Sequence, residues 1–349
     1  MDYREHPINR NITEEAKIGL LREMLRVRRF ELTALKQYNA GRIGGFLPLG
    51  IGQESIPVGL RSLVGPDDHT ICGWRGLGHA LAAGVSMDAC MAELYGKSGG
   101  CCQGKGGAMS LFSPANRFWG AYGLAASQTP IAAGLAFALK QGGKHGAVFC
   151  ILGDGAVNQG VYHETLNLAG LFNLPVVFVI ENNGYGMGTS VSRSSRYREC
   201  LARRAETYNI DWEKIGDGNL YELRARVDTA LEKARKEHRP TVVEIPTYRY
   251  YGFHVADSRA KIYRSPEEIE LMKSTRDPII LWRRRLLEEG ILDDKIVQRL
   301  DEEARQEAKS AVAFAEASES PTRADIMTHV YWESDHGTPA SKIGRHFFD

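Results

Sequence analysis

The stretch Ile151–Gly160, ILGDGAVNQG, ends an apolar run on one carboxylate, Asp154, set between two glycines. A second apolar run, LPVVFVIENNG, ends on Asn182 and Asn183. Asp154 and Asn183 stand 183 − 154 = 29 positions apart, the length of a strand end, a crossover helix and a return strand. In an open α/β sheet two such ends are neighbours, and ligands bind at the carboxyl ends of the strands. A carboxylate, an amide oxygen and a backbone carbonyl are hard oxygen ligands. They suit Mg²⁺, whose remaining positions favour phosphate oxygens. Glycines beside Asp154 let the backbone approach a diphosphate closely. The helix opening after them turns free N–H groups and a positive dipole end toward the same anion. These residues fit a Mg²⁺–diphosphate anchor. A bare Gly-Asp-Gly also fits a tight turn in which Asp154 only caps the next helix; the asparagines at the matching strand end favour the anchor.

Such an anchor needs a parallel sheet beneath it. GAVFCILGDG, NQGVYHETLNLAGLF and LPVVFVIENNG read as strand, helix and strand, a βαβ unit. Its strands are continuously apolar, as in a sheet covered on both faces. YELRARVDTALEKARKEHRP is a further helix and TVVEIPTYRYY a further strand. The alternation places the chain in the α/β class, with a doubly wound, mainly parallel sheet flanked by helices. Upstream, residues 13–40 read as a long amphipathic helix with Thr13 as N-cap and Gly41 as its stop. HTICGW is a short strand. Residues 96–125 read as one long Gly-rich loop, and SQTPIAAGLAFALKQGG as a small-residue helix suited to close packing or a subunit interface. Residues 278–318 are charged amphipathic helix, and the polar tail Trp332–Asp349 is expected to reach over a partner. The organisation expected is a helical arm over 1–40, a diphosphate-binding α/β domain over 41–277, and a helical C-terminal extension with its tail over 278–349.

Composition narrows the functional classes. The 349 residues carry a net charge of +1, with 43% hydrophobic and 25% charged residues. That balance gives no pull toward nucleic acid or a membrane surface. No apolar run approaches the roughly 20 residues of a spanning helix. The N-terminus, MDYREHPINRN, carries acids and lacks an apolar core, so neither a signal nor a transit peptide is expected and a cytoplasmic location is expected. The six cysteines show no metal-ligand spacing and are expected to be reduced thiols.

GDGAVNQGVYHETLNLAGLFNLPVVFVIENNGYGMGTS resembles the thiamine-diphosphate motif, and its surroundings resemble one family in particular. GRIGGF, IGQES, GHALAAG, MAELYGK, GKGGAM, QTP, TYRYYG and YRSPEEIE extend the likeness from about residue 15 to 333. The family is the alpha subunit of the thiamine-diphosphate-dependent first component of 2-oxo acid dehydrogenase complexes, of the pyruvate and acetoin type. The resemblance implies that Asp154, Asn183 and the carbonyl of Tyr185 hold Mg²⁺. It implies that Gly155 and Ala156 meet the diphosphate and that Arg75 pairs with it. Trp74 replaces a usual tyrosine, Gly123 and Ala125 lie where backbone meets the aminopyrimidine ring, and Phe46 lines the pocket. It also implies a beta subunit, which supplies a glutamate to the cofactor ring, in a heterotetramer of two alpha and two beta chains. The reaction implied is decarboxylation of a 2-oxo acid, with the acyl group passed to the lipoyl arm of an acyltransferase component.

The chain also departs from that family. Pro48, Leu77, Ser110, Tyr122 and Phe253 stand where relatives often carry histidines. General acid–base help is worth typically ~10²–10⁴-fold, so these changes bear on the chemistry. His79 and His254 are the histidines left as candidate proton-transfer groups. The expected function is a pyruvate-type dehydrogenase subunit. The alternatives are an acetoin dehydrogenase or acyloin-forming subunit, or a cofactor-binding paralogue without activity.

Overall fold

A computed structural model describes residues 2–216, 219–257 and 260–329. The tail Trp332–Asp349 lies outside the described residues. Among these, six strands form one wholly parallel sheet: β1 (His69–Gly73), β2 (Phe118–Tyr122), β3 (Val148–Gly153), β4 (Val176–Asn182), β5 (Asp211–Lys214) and β6 (Thr241–Pro246). Their order across the sheet is β2-β1-β3-β4-β6-β5. The chain leaves β1 for β2 on one side and then crosses to β3 on the other. The topological switch point therefore lies between β1 and β3, where a doubly wound sheet opens a crevice at its carboxyl edge.

The apolar strands are buried on both faces because two cores sandwich them. Phe149, Ile151, Val177 and Val179 face one core; Val148, Cys150, Leu152, Val176, Phe178 and Ile180 face the other. The first core is covered by α1 (Glu14–Asn39), α2 (Met87–Leu94), α5 (Leu220–Glu237) and α7 (Asp294–Ala317), and the second by α3 (Gln128–Gln141) and α4 (Gly160–Phe172). Thr13 caps α1 by accepting from the Ala16 N–H at 3.1 Å, as its sequence signal requires. Leu300, Ala304, Ala308, Ala311 and Ala315 line the buried stripe of α7. Their small side chains let α7 pack closely, and Arg29 and Arg26 of α1 meet Asp301 and Glu307 at its rim, each at 2.7 Å. Helices α1 and α7, far apart in sequence, thus share the core of the central sheet. No helix is long and apolar enough to cross a membrane among the described residues.

Two strands escape the sequence reading. β2 lies inside the expected loop 96–125. It is an edge strand whose register with β1 shifts between Thr70 and Cys72, and Gly120 within it has φ +99°. A Cβ at Gly120 would stand 2.4 Å from the Phe112 ring, so the glycine is required by packing. β5, with the sequence DWEK, is the opposite edge and is partly exposed, so it carries no apolar run. The charged C-terminal region is two helices, α6 (Pro278–Glu288) and α7, preceded by the helix Pro266–Arg276.

Candidate cofactor-binding crevice

Except for Phe46, which precedes the sheet, the candidate residues come after the carboxyl ends of strands. Trp74 and Arg75 follow β1, Asp154 follows β3, Asn183 follows β4 and Arg249 lies just beyond β6. Parallel register sets Gly153 beside Glu181 and Asn182 beside Pro246, so these ends converge. Asp154 is buried, and its Oδ2 has no hydrogen-bond partner among the described residues. Burial pushes its carboxyl up to about 6, against the lowering pull of the Gly155 N–H, Arg249 and Arg75. A buried carboxylate oxygen left unbonded is costly, so it fits a cation ligand.

The second loop is shaped for the same purpose. Asn182 is spent on structure: its amide donates to Glu244 at 2.8 Å and its oxygen accepts from the Gly184 N–H at 3.0 Å. Asn183 is buried, donates to Gln53 at 3.2 Å and accepts only a long 3.3 Å bond from the Tyr185 N–H. A Cβ on Gly155 would lie 3.0 Å from the Gly186 Cα. The GDG and NNGYG loops therefore touch backbone to backbone at Gly155 and Gly186. A Cβ on Gly153 would meet nothing within 4 Å, leaving its side of the crevice open.

Positive charge surrounds this carboxylate. Arg75 donates to the carbonyls of Leu49 at 2.6 Å and Phe253 at 3.3 Å. Burial, reinforced by Arg249, lowers its guanidinium to about 10. Arg249 is fully buried and donates to the Met187 carbonyl at 2.6 Å and the Tyr251 carbonyl at 3.0 Å. Arg264 donates to the carbonyls of Arg249 at 2.6 Å and Tyr251 at 2.7 Å, and sits over the rings of Tyr185, Tyr248 and Tyr263. The Nε atoms of Arg249 and Arg264 have no partner among the described residues. Arg75 and Arg249 thus act on Asp154 from buried positions, and their positive charge fits a diphosphate with its cation. Arg249 and Arg264 were not singled out from the sequence; they sit in TYRYYG and YRSPEEIE, stretches that carried the resemblance without assigned roles.

The rim is aromatic. Trp74 stacks on Phe253 with ring centroids 4.4 Å apart and planes 10° apart. Phe46, 50% exposed, lies 5.8 Å from the Trp74 ring and 4.9 Å from the His254 ring. His254 Nδ1 accepts from the Ala256 N–H at 3.1 Å. His79 lies deeper, buried, with Nε2 2.8 Å from Glu181 Oε1. Leu77 and Pro48 are buried, Leu77 within the first core. Gly123 and Ala125 are exposed beyond β2, and Leu124 between them is 77% exposed. Ala156 opens the short helix after Gly155. A cavity of ≈ 400 Å³ lined by Asn209, Asp211, Trp212 and Thr241 lies at the amino ends of β5 and β6, the end of the sheet away from this crevice.

A parallel sheet whose switch-point crevice holds a buried carboxylate, an amide and two buried arginines fits the class of α/β proteins that hold a cofactor diphosphate. Residues 22–324 match the family model for the dehydrogenase E1 component. The pyruvate dehydrogenase E1 component subunit alpha of Rickettsia felis is 39% identical over 319 residues, covering 91% of this chain and 97% of that protein. The protein of the same name from Rhizobium meliloti is 37% identical, with 91% and 90% covered. The somatic mitochondrial form from Bos taurus is 35% identical, with 93% and 82% covered. This chain belongs to the dehydrogenase E1 component family, as its sequence motifs lead one to expect.

Proposed function

We propose that this chain is the alpha subunit of a pyruvate dehydrogenase. It acts with a beta subunit, two chains of each, and passes an acetyl group to the lipoyl arm of an acyltransferase component. The observation that carries the reading is the unbonded, buried Asp154 Oδ2 in a loop that meets the NNGYG loop at Gly155 and Gly186. Asp154, Asn183 and the Tyr185 carbonyl would hold Mg²⁺. Gly155, Ala156 and Arg75 would hold the diphosphate of thiamine diphosphate, with Arg249 adding charge. Bound there, thiamine diphosphate supplies the electron sink for loss of CO₂ from a 2-oxo acid. Trp74 and Phe253 keep water from one side of the pocket, and Phe46 narrows its mouth. His254 stands at that mouth as the proton-transfer group. His79, fixed by Glu181, supports the floor between β1 and β4.

A beta subunit is supported by what this chain leaves uncovered. Ile131 and Phe137 on α3, with Leu168, Leu171 and Phe172 on α4, are 40% to 67% exposed. The Phe137 and Phe172 rings meet edge-on at 6.0 Å, joining the two helices into one apolar face. Such a face marks a protein interface. The exposed Gly123–Ala125 segment leaves the pyrimidine end of the site for a second chain to complete. A cytoplasmic setting rests on the bacterial relatives alone.

The test is turnover. The chain, co-purified with its beta subunit, is assayed with pyruvate, a branched 2-oxo acid and acetoin, using a dye acceptor. Decarboxylation of pyruvate dependent on Mg²⁺ and thiamine diphosphate is expected. Normal cofactor binding without turnover of pyruvate overturns the assignment.

A further inference from the structure

The sequence places two adjacent cysteines, Cys101 and Cys102, in the Gly-rich segment after α2. Both are free thiols and partly exposed. Ligand atoms of Glu93, Cys101 and Cys102 all lie within 4.8 Å of one another. Glu93 is fully buried at the end of α2, and the segment is wound around it. Its Oε2 accepts from the N–H groups of Cys102 at 2.8 Å and Gly104 at 2.9 Å. Its Oε1 accepts from those of Gly106 at 2.7 Å and Gly107 at 3.1 Å. The carboxylate is saturated, so the cluster lacks the third free ligand that a metal would need. What remains is a pair of thiols in contact.

The Cys102 thiol is bound into the loop. It donates to the Ser110 carbonyl at 3.1 Å. The next residue back, Met109, packs against Gly123, where a Cβ would stand 3.7 Å from the methionine sulfur. The thiol therefore tethers the segment that backs the Gly123–Ala125 loop. A thiol bond from Cys101 holds the Cys102 thiol below its ordinary range, which favours the nucleophilic thiolate. Cys90, the neighbour in α2, is fully buried, and burial pushes its thiol up, so it takes no part.

We propose that Cys101 and Cys102 form a peroxide-sensitive dithiol that closes to a disulfide between sequence neighbours and releases Ser110. The Cys102 thiolate attacks a peroxide oxygen: an S–O bond forms, the O–O bond breaks, and hydroxide leaves. The Cys101 sulfur then attacks the Cys102 sulfur: an S–S bond forms, the S–O bond breaks, and the oxygen leaves as water with the Cys101 proton. Two thiols and one hydrogen peroxide give one disulfide and two waters, the sulfur pair losing two electrons. Cys102 then has no S–H to offer the Ser110 carbonyl, and residues 109–112 lose that one of their bonds. Thiol reductants reverse the step.

The full chain, in the assembly in which it is isolated, is treated with one equivalent of hydrogen peroxide and digested with trypsin. The peptide 98–105 carries both cysteines. A loss of about 2 Da confined to this peptide and reversed by dithiothreitol is expected. Cys101→Ser should give no such loss and should instead leave a sulfenic acid on Cys102 that dimedone labels. Cys102→Ser should give neither. Amide exchange over residues 109–112 should rise in the oxidised wild-type chain, a readout that needs no variant. An unchanged peptide, a sulfinic acid on Cys102 beside an untouched Cys101, or unchanged exchange over 109–112 in the disulfide form overturns the proposal.

Discussion

Glu31 gives the sharpest test of how charge is arranged beneath the crevice. It is fully buried on α1, and among the described residues its carboxylate oxygens have no side-chain partner, only the weak approach of the Gly50 N–H. A Cβ on Gly50 would stand 3.2 Å from its Oε1 and 3.9 Å from Arg75, so it lies directly under that arginine. Burial, followed by repulsion from Glu54, pushes its carboxyl from 4.5 to about 8. A raised acid value means that the native state binds the proton more tightly than the unfolded chain. The stabilisation is fully present below 4.5 and is lost as pH rises to about 8. The slope is ~1.4 kcal/mol per pH unit, and the whole window is worth up to (8 − 4.5) × ~1.4, or ~5 kcal/mol. Glu31→Gln keeps the shape and removes the titration. Urea unfolding of both proteins at about pH 5.5 and 7.5 isolates this group, because every other titration cancels in the difference. The variant should gain ~2.5 kcal/mol relative to wild type between those two values. Parallel stabilities would show that Glu31 is already ionised in the native chain and would refute the picture of an Arg75 left uncommitted for an anion.

Three further outcomes follow from named contacts. Gly155→Ala forces a Cβ to 3.0 Å from the Gly186 backbone, which has no flexible end to yield; a cost of ~1–3 kcal/mol in thermal unfolding and weaker Mg²⁺-dependent cofactor binding are expected together. Leu77→His puts an imidazole at a core position with 0% exposure; a loss of ~2–3 kcal/mol in urea unfolding is expected, because the imidazole would be buried without a partner. Arg75→Lys replaces a fork that reaches two carbonyls by a point charge; titration of thiamine diphosphate should show about tenfold weaker binding, ~1.4 kcal/mol.

The central βαβ unit was legible because its strands are buried on both faces and read as unbroken apolar runs. The edge strands were not. β2 carries a register shift and a left-handed glycine, and β5 is short and polar, so neither repeats a strand period. The same split holds at the site. Asp154 and Asn183 sit at the ends of the legible strands, and the spacing alone suggested their meeting. Arg249 and Arg264 reach the crevice from irregular chain after β6, where no periodicity points to a common target. The His79–Glu181 pair joins residues 102 positions apart on a helix and a strand end. Nothing local in either segment marks that contact.

The central claim is that Asp154 is one half of a Mg²⁺ clamp for a cofactor diphosphate. Calorimetric titration of thiamine diphosphate, with and without Mg²⁺, into the assembled protein and its Asp154→Ala variant tests it directly. Outer partners of a metal ligand cost ~10–100-fold when removed, so loss of the ligand itself should weaken Mg²⁺-dependent binding by about 100-fold or more. Circular dichroism should show the variant folded. A folded variant with unchanged Mg²⁺-dependent affinity contradicts the claim.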